Sequence, residues 1–325
     1  MGILEKGDYS IMKIREFDKS KEDYKSIETI WNMSYPDEPL SAIELEQDDI
    51  KRPKHRKYKR FIAFIEKKAV GFAVFINGES NFHPQKFYFT FAVLPDFQGQ
   101  GIGKALYTRT LGELKDFDAI EIIAWSREDY HRKNRFLLER GFYEVERSFE
   151  SRLDVPLFDA SSYNLEPKLA AEGIEIKSWL ELERVPDYQR KIYDLHCTLD
   201  LDVPMVGEYT KPTFERFKQN HFDDGRMELK GSMIALHNDK FIGIHELHTS
   251  KADDFLHIGL TGVLRDYRKK GTAIAMKIRG IAYAKKAGFK IQNTWNESNN
   301  VGMLAINDKL GFKRQPASID YAKDL

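Results

Sequence analysis

The sequence predicts an α/β protein built twice over, each half a mixed sheet flanked by helices. Two observations carry that reading. The stretch FAVLPDFQGQGIGKAL, Phe91 to Leu106, sets three glycines between an apolar run and a helix-like segment, and its pattern returns as TGVLRDYRKKGTAIAM, Thr261 to Met276. Gly101 and Gly271, Gln98 and Arg268, Gly103 and Ala273, Trp125 and Trp295, and the pairs Gly141-Phe142 and Gly311-Phe312 all stand 170 positions apart. Upstream, Gly71 and Gly243 are 172 apart within FIAFIEKKAVGFAVF and GSMIALHNDKFIGIHEL, so one small insertion separates the copies. Solenoid repeats recur every ~20–50 residues; a period this long marks a duplicated domain.

Each half opens on an alternating segment, IMKIREF at Ile11 and IEIKSW at Ile174, which predicts a strand. Helix-like mixtures follow, KEDYKSIETIWNM and VPDYQRKIYDLHC. Two strands around a turn come next, Phe61 to Phe75 and Met233 to Leu247, turning at EKKAVG and HNDKFIG. The glycine turn then opens a helix with Leu106, Leu111 and Leu114 in one copy and Met276, Ile281 and Ala284 in the other. AIEIIAW and FKIQNTW are apolar enough for central strands. Between the halves, PLFDASSYNLEPKLAAEG is turn-rich and reads as a linker, giving domains at 1–157 and 173–325 joined by 158–172.

Composition narrows the function classes. Lys+Arg and Asp+Glu are both 51, so no global charge selects nucleic acid or a membrane surface as partner. The single Cys197 excludes an internal disulfide framework and a cysteine zinc site, fits a reducing compartment, and reads as a partly buried bystander rather than a nucleophile. MGILEKGDYS holds no apolar signal region, and no apolar run reaches the ~18 residues of a membrane span. A cytoplasmic location is the expectation.

The glycine turn carries the chemistry. A strand, a turn of bare backbone and a helix N-terminus leave unpaired N–H groups under a positive dipole end, which favours a phosphate or pyrophosphate. Dinucleotide-binding folds need G-x-G-x-x-G, and Gly99-x-Gly101-x-Gly103 has another spacing; a nucleotide P-loop needs Ser or Thr after Gly-Lys, where Ala105 follows Lys104.

Gln98-Gly99-Gln100-Gly101-Ile102-Gly103 resembles the pyrophosphate pattern of the GNAT acetyltransferase superfamily, and Arg268-Lys269-Lys270-Gly271-Thr272-Ala273 resembles it independently. VLPDF and VLRDY are similar to the end of that family's splayed strand, and Gly-Phe falls 40 residues past the motif glycine in both copies. The likeness covers roughly 61–155 and 231–325, so the chain resembles two tandem GNAT domains, which implies in each a mixed, mostly antiparallel sheet flanked by helices with a splayed central strand. The resemblance implies acetyl-CoA, its pyrophosphate on Gln98–Lys104 or on Arg268–Ala273, with Asn300 beside the second site. Its pantetheine arm would lie along backbone near Ala92-Val93 or Gly262-Val263. It implies direct acetyl transfer to an amine of a small molecule or peptide.

Other family features are missing. The usual acid, a Tyr four residues before the Gly of Gly-Phe, is Leu137 in one copy and Asn307 in the other, and neither protonates a thiolate. No carboxylate stands on KFYFTFAV or FLHIGLTGV. The substitutes are Tyr130, which occupies the position of Asn300, and Glu246, His248 and His257; Glu246 and His248 share one face of an alternating strand. HELH is not a zinc signature, which needs two residues after His-Glu and a helix, so no metal is expected. WNMSYPDEPLSAIELEQ and LHCTLDLDVPMVGEYTKPTF are acidic, which favours a cationic amine acceptor. The C-terminal copy, keeping Arg268, Gly271, Ala273 and Asn300, is the expected catalytic half. The alternative is a non-catalytic acyl-CoA binder.

Overall fold

The structure is a computed structural model and describes residues 12–325; the start of the first strand at Ile11 and the segment MGILEKGDYS lie outside the described residues. In chain order the first elements are β1 (Met12–Glu16), α1 (Lys21–Ser34), α2 (Ala42–Lys51), β2 (Tyr58–Ile65), β3 (Lys68–Ile76), β4 (Lys86–Val93), α3 (Ile102–Leu114), β5 (Glu121–Arg127), α4 (His131–Leu138) and β6 (Tyr143–Asp154). There follow α5 (Glu166–Ala171), β7 (Ile174–Ser178), α6 (Tyr188–Asp200), α7 (Phe214–Lys218), β8 (Met233–His237), β9 (Lys240–Thr249) and β10 (Leu256–Val263). The chain finishes with α8 (Thr272–Ala287), β11 (Ile291–Glu297), α9 (Val301–Lys309), β12 (Lys313–Arg314) and β13 (Ser318–Asp324).

The chain divides into two compact units, and they are not the two contiguous halves. One unit takes the residues up to Trp125, then Arg135–Tyr143 and Asp320–Leu325; the other takes Ser126–Asn134 and Glu144–Ile319. Relative to boundaries at 157 and 173, the long strand β6 counts almost wholly with the second unit, and the last six residues count with the first. The segment expected as a linker is also partly folded. Its residues 166–171 form α5, and Leu169 is buried there.

In the first unit the strands run β1-β2-β3-β4-β5-β13. The first three pairings are antiparallel, while β4 and β5 are parallel over Lys86–Phe89 and Glu121–Ala124. Beyond Phe89 the recorded pairing to β5 stops, and the rest of β4 is the splayed end that the sequence predicts. In the second unit the order is β6-β11-β10-β9-β8-β7, with β10 and β11 parallel at Leu256↔Gln292 and His257↔Asn293. The β9–β10 ladder slips between Ile258 and Thr261, where β10 holds one residue more than its partner. The corresponding β3–β4 ladder keeps its register from Gly71↔Val93 to Ile76↔Tyr88.

Alternation along β9 decides what each face of the second sheet buries. Ile244 packs with Trp179, Ile192, Leu195, Leu199 and Phe217 of the α6–α7 side, and Cys197 is one of that core. Leu247 packs with Leu256, Ile281, Ala284, Leu310 and Phe312 of the α8–α9 side. Glu246 therefore points to the α6–α7 side. Among the described residues no helix is long and apolar enough to cross a membrane.

Candidate active site

Both glycine turns take the predicted form. Gly101 and Gly271 cap α3 and α8 at φ of +87° and +91°, backbone conformations that only glycine adopts without strain. In the first copy Gly99 precedes at φ +86°; in the second Lys269 takes that place at φ +64°.

A cavity of about 610 Å³ opens in the second unit on this turn. Its lining includes Gly271 to Ile274, Gly262 and Val263, Asn300 and Met303, and Leu199 and Leu260. The first-turn N–H groups of α8 face it without intrahelical acceptors. Asn300 caps α9, its side chain accepting from the Met303 N–H at 3.3 Å. A larger cavity of about 750 Å³ lies beside α5 and β7, lined by Glu166, Ile176 and Arg279 among others; the motif turn does not reach it.

Arg268 differs from the simple phosphate ligand that the resemblance implies. Its Nε donates to the Val263 carbonyl at 2.8 Å and its Nη2 pairs with Asp202, which also holds Arg265. Gln98 makes the same bond in the first copy, Nε2 to the Val93 carbonyl at 3.0 Å. This position ties down the strand end in both copies. Lys270 pairs with Glu172 at 2.7 Å, so the basic run is largely compensated, and the acidic segment after α6 has spent Asp202 in doing so.

The first copy fills the matching space with aromatic rings. Phe136 stands 5.1 Å from Phe91 and 6.0 Å from Tyr107, ring centre to ring centre, and a Cβ on Gly103 would meet Phe136 at 3.7 Å. The residues 170 positions on are Thr261, Lys277 and Ile306, and Thr261 and Ile306 line the cavity. The Tyr35 hydroxyl donates to the Phe91 carbonyl at 3.2 Å and the Ser34 hydroxyl to the Val93 carbonyl at 3.1 Å, occupying the splayed strand beside Ala92.

Next to Leu260 on the cavity lining stands a cluster that sequence reasoning found only in part; its side chains are not themselves among the lining residues. Glu246, 4% exposed, accepts the N–H of Leu260 at 3.1 Å through Oε2, an N–H that the β10 slip frees from the ladder. Its Oε1 lies 2.8 Å from His196 Nδ1 and 3.9 Å from His221 Nε2. His221 Nδ1 is 3.0 Å from the Phe217 carbonyl, so this nitrogen carries the proton and Nε2 keeps a lone pair. Burial alone would push the Glu246 carboxyl up. The His196 charge and hydrogen bond, His221 and the Leu260 N–H outweigh it and hold the group below the ordinary carboxylate range. Burial pushes His221 down and the repelling His196 adds to it, outweighing the upward pull of Glu246, so the group lies below the usual imidazole value. His196 is raised, because Glu246 and Asp200 outweigh its own burial.

The other expected residues fall elsewhere. His248 shares the face of Glu246 but stacks on His257 at 5.3 Å; burial, then His257, push it down to about 4. His257 is held by Asp253 at 2.9 Å. Tyr130 packs under the Arg127 guanidinium, 4.8 Å from its ring, and that guanidinium is forked to Asp129. Leu137 and Asn307 are both buried, Asn307 donating to Asn296 at 2.7 Å. His196 and His221 were missed because they meet Glu246 from 50 and 25 positions away, on other elements. His248, His257, Asn293 and Arg152 are neighbours in register across β9, β10, β11 and β6, a polar row beside the cluster.

The sheet with its splayed strand, glycine-capped helix and cofactor-sized groove is the fold of acyl-CoA-dependent transferases of the GNAT type. Residues 22–142 match the acetyltransferase (GNAT) family model. A mycothiol acetyltransferase of Arthrobacter sp. (strain FB24) is 22% identical over 239 residues, covering 71% of this chain and 68% of that protein. A tandem GNAT protein from the clavulanic acid biosynthesis pathway superposes with a TM-score of 0.77 at 14% identity, covering 97% of this chain and 98% of that one. A GCN5-related N-acetyltransferase from Sphaerobacter thermophilus gives 0.72 at 16% identity, covering 96% and 95%. The match of residues 22–142 to that family model implies acetyl transfer from acetyl-CoA to an amine.

Proposed function

We propose that the chain is an N-acetyltransferase with one working site, in the second unit, that moves an acetyl group from acetyl-CoA to a polar amine. The observation that carries this reading is the cavity running from the α8 N-terminus past Gly262 and Val263 to Leu260, whose N–H is held by Glu246. Residues 271–274 would hold the pyrophosphate with backbone N–H groups, and Lys168, Lys269 and Lys309 on the lining add positive charge. The pantetheine arm would lie along Gly262-Val263, so that the thioester reaches the cluster.

His221 then serves as general base. Its Nε2 lone pair takes the proton that the amine loses on attacking the thioester carbon, and the Glu246 carboxylate stabilises the imidazolium formed. The carbon–sulfur bond breaks as the amide forms, and the CoA thiolate takes a proton that water relays from the His221 imidazolium, which returns to neutral, since Leu137 and Asn307 offer none. Val74 stands in the first copy where Glu246 stands in the second, at the 172-residue spacing. The aromatic filling by Phe91, Tyr107 and Phe136 favours a structural role for that copy.

Gly101→Val and Gly271→Val separate the halves. Each substitution forces a branched side chain to positive φ, and at Gly271 the new Cβ would also stand 3.3 Å from Leu165. CoA titration calorimetry on the parent chain should give one site, lost in Gly271→Val and kept in Gly101→Val. Thiol release with an amine panel should follow binding, and a Gly271→Val chain that folds and still turns over would overturn the assignment.

A further inference from the structure

We propose that His196, His221 and Glu246 also form a site for a divalent cation of the Zn²⁺ type, whose occupancy silences the acetyl-transfer centre. The silencing rests on the reading of His221 as base; the binding does not.

One ligand atom from each residue lies within 4.8 Å of the others. They come from three elements: α6, the turn of helix after α7, and β9. Their spacing of 25 and 25 residues resembles no local zinc signature, and the HELH reading excluded only the helical pattern. The surroundings already have the arrangement that imidazole ligands need. His221 spends Nδ1–H on the Phe217 carbonyl and turns Nε2 toward Glu246. His196 turns Nδ1 to the same carboxylate, with Asp200 behind it 3.7 Å from Nε2. The Phe217 ring stacks on His221 at 3.9 Å and 17°, fixing the plane of the imidazole.

Tetrahedral zinc with donors at ~2.0–2.1 Å sets them about 3.3 Å apart. The 2.8 Å separation between His196 and Glu246 must widen by about half an ångström, the 3.9 Å separation from His221 must close by as much, and the remaining histidine–histidine separation, within 4.8 Å, must close by up to about 1.5 Å. Rotation of the two imidazoles about their side-chain torsions makes these adjustments. Two imidazoles and one carboxylate select zinc over the oxygen-seeking magnesium and calcium. Three protein ligands leave a fourth position for water or the acceptor. The ion replaces the proton between His196 and Glu246, which leaves to solvent, and it occupies the lone pair of His221 Nε2.

The test is calorimetric titration of the full chain with ZnCl₂ alone, after chelator treatment and dialysis, without CoA. One ion per chain, with micromolar or tighter affinity, is expected. His221→Gln and the near-isosteric Glu246→Gln should each weaken it tenfold or more, and Cys197→Ser should leave it unchanged. CoA affinity measured on the same samples reports folding, and neither glutamine variant touches residues 262–263 or 271–274. Failure of the parent chain to take up zinc, or uptake that survives both glutamine variants, overturns the site. Failure of CoA to bind sinks the transferase reading and leaves the zinc result standing. Zinc bound at one equivalent with full amine turnover overturns the silencing.

Discussion

Lys277 shows how far one side chain in the second copy departs from its counterpart. Tyr107 stands at the same position of the first copy and accepts a hydrogen bond from Lys323 at 3.1 Å. Lys277 is fully buried over the Phe312 ring, and its Nζ has no hydrogen-bond partner among the described residues. Burial pushes its pKa down to about 7. The folded state thus binds this proton more weakly than the unfolded chain does. The resulting cost is fully present below pH ~7 and fades as pH rises toward the unfolded value near 10.4. Lys277→Met should therefore raise unfolding free energy by roughly 2–4 kcal/mol at neutral pH, with a smaller gain at pH 9.5. Urea melts at the two pH values check it; an equal gain at both would mean that the lysine is not desolvated as described. Such a residue is invisible in the sequence, where IAMKIRG reads as an ordinary amphipathic turn. His196 and His221 were hidden for a related reason, since a side chain's meaning here comes from partners on other elements. Glu246 was legible only because strand alternation gives the face, though not what waits opposite it.

At the scale of elements, the two glycine-capped helices and the strands before them were readable, because a positive φ at a strand-to-helix turn leaves glycine in the sequence. The slip in β10 was not. One extra residue between Ile258 and Thr261 changes no composition, yet it frees the Leu260 N–H for Glu246. Gly259 makes room for that bond: a Cβ there would stand 3.0 Å from Glu246 Oε2 and 3.2 Å from Glu246 Cβ. Gly259→Ala should displace the carboxylate and cut turnover tenfold or more while CoA affinity stays within twofold. Steady-state kinetics beside calorimetry separate the two. A drop in affinity alone would place Gly259 in the cofactor wall instead. The supposed linker was misread for a different reason. Its Asp, Ser and Asn residues are true turn formers, but EPKLAA, starting at Glu166, forms α5 and buries Leu169.

Across the whole molecule, the duplication was legible from spacing and the exchange of segments between units was not, because pairing partners far apart leave no local mark. Residues 320–325 count with the first unit. The Leu325 N–H donates to the Ile120 carbonyl at 3.0 Å, and Lys323 Nζ reaches the Arg140 carbonyl at 2.6 Å as well as Tyr107. A chain ending at residue 319 should lose the strand beside β5 and melt earlier. Amide exchange should rise at 121–125 and 135–143, while the second unit keeps its CoA affinity. Unchanged exchange at 121–125 would show that the last strand is ornamental.

That same exchange sets an order of events during synthesis. Ile120 leaves the ribosome about two hundred residues before Leu325, so the first unit waits with β5 unpaired on that side while those residues are made. The exposed strand edge is a template for a neighbouring nascent chain, and long-range pairing of this kind forms slowly. The unit whose residues are made first therefore closes only after the last of the second unit's strands has been made.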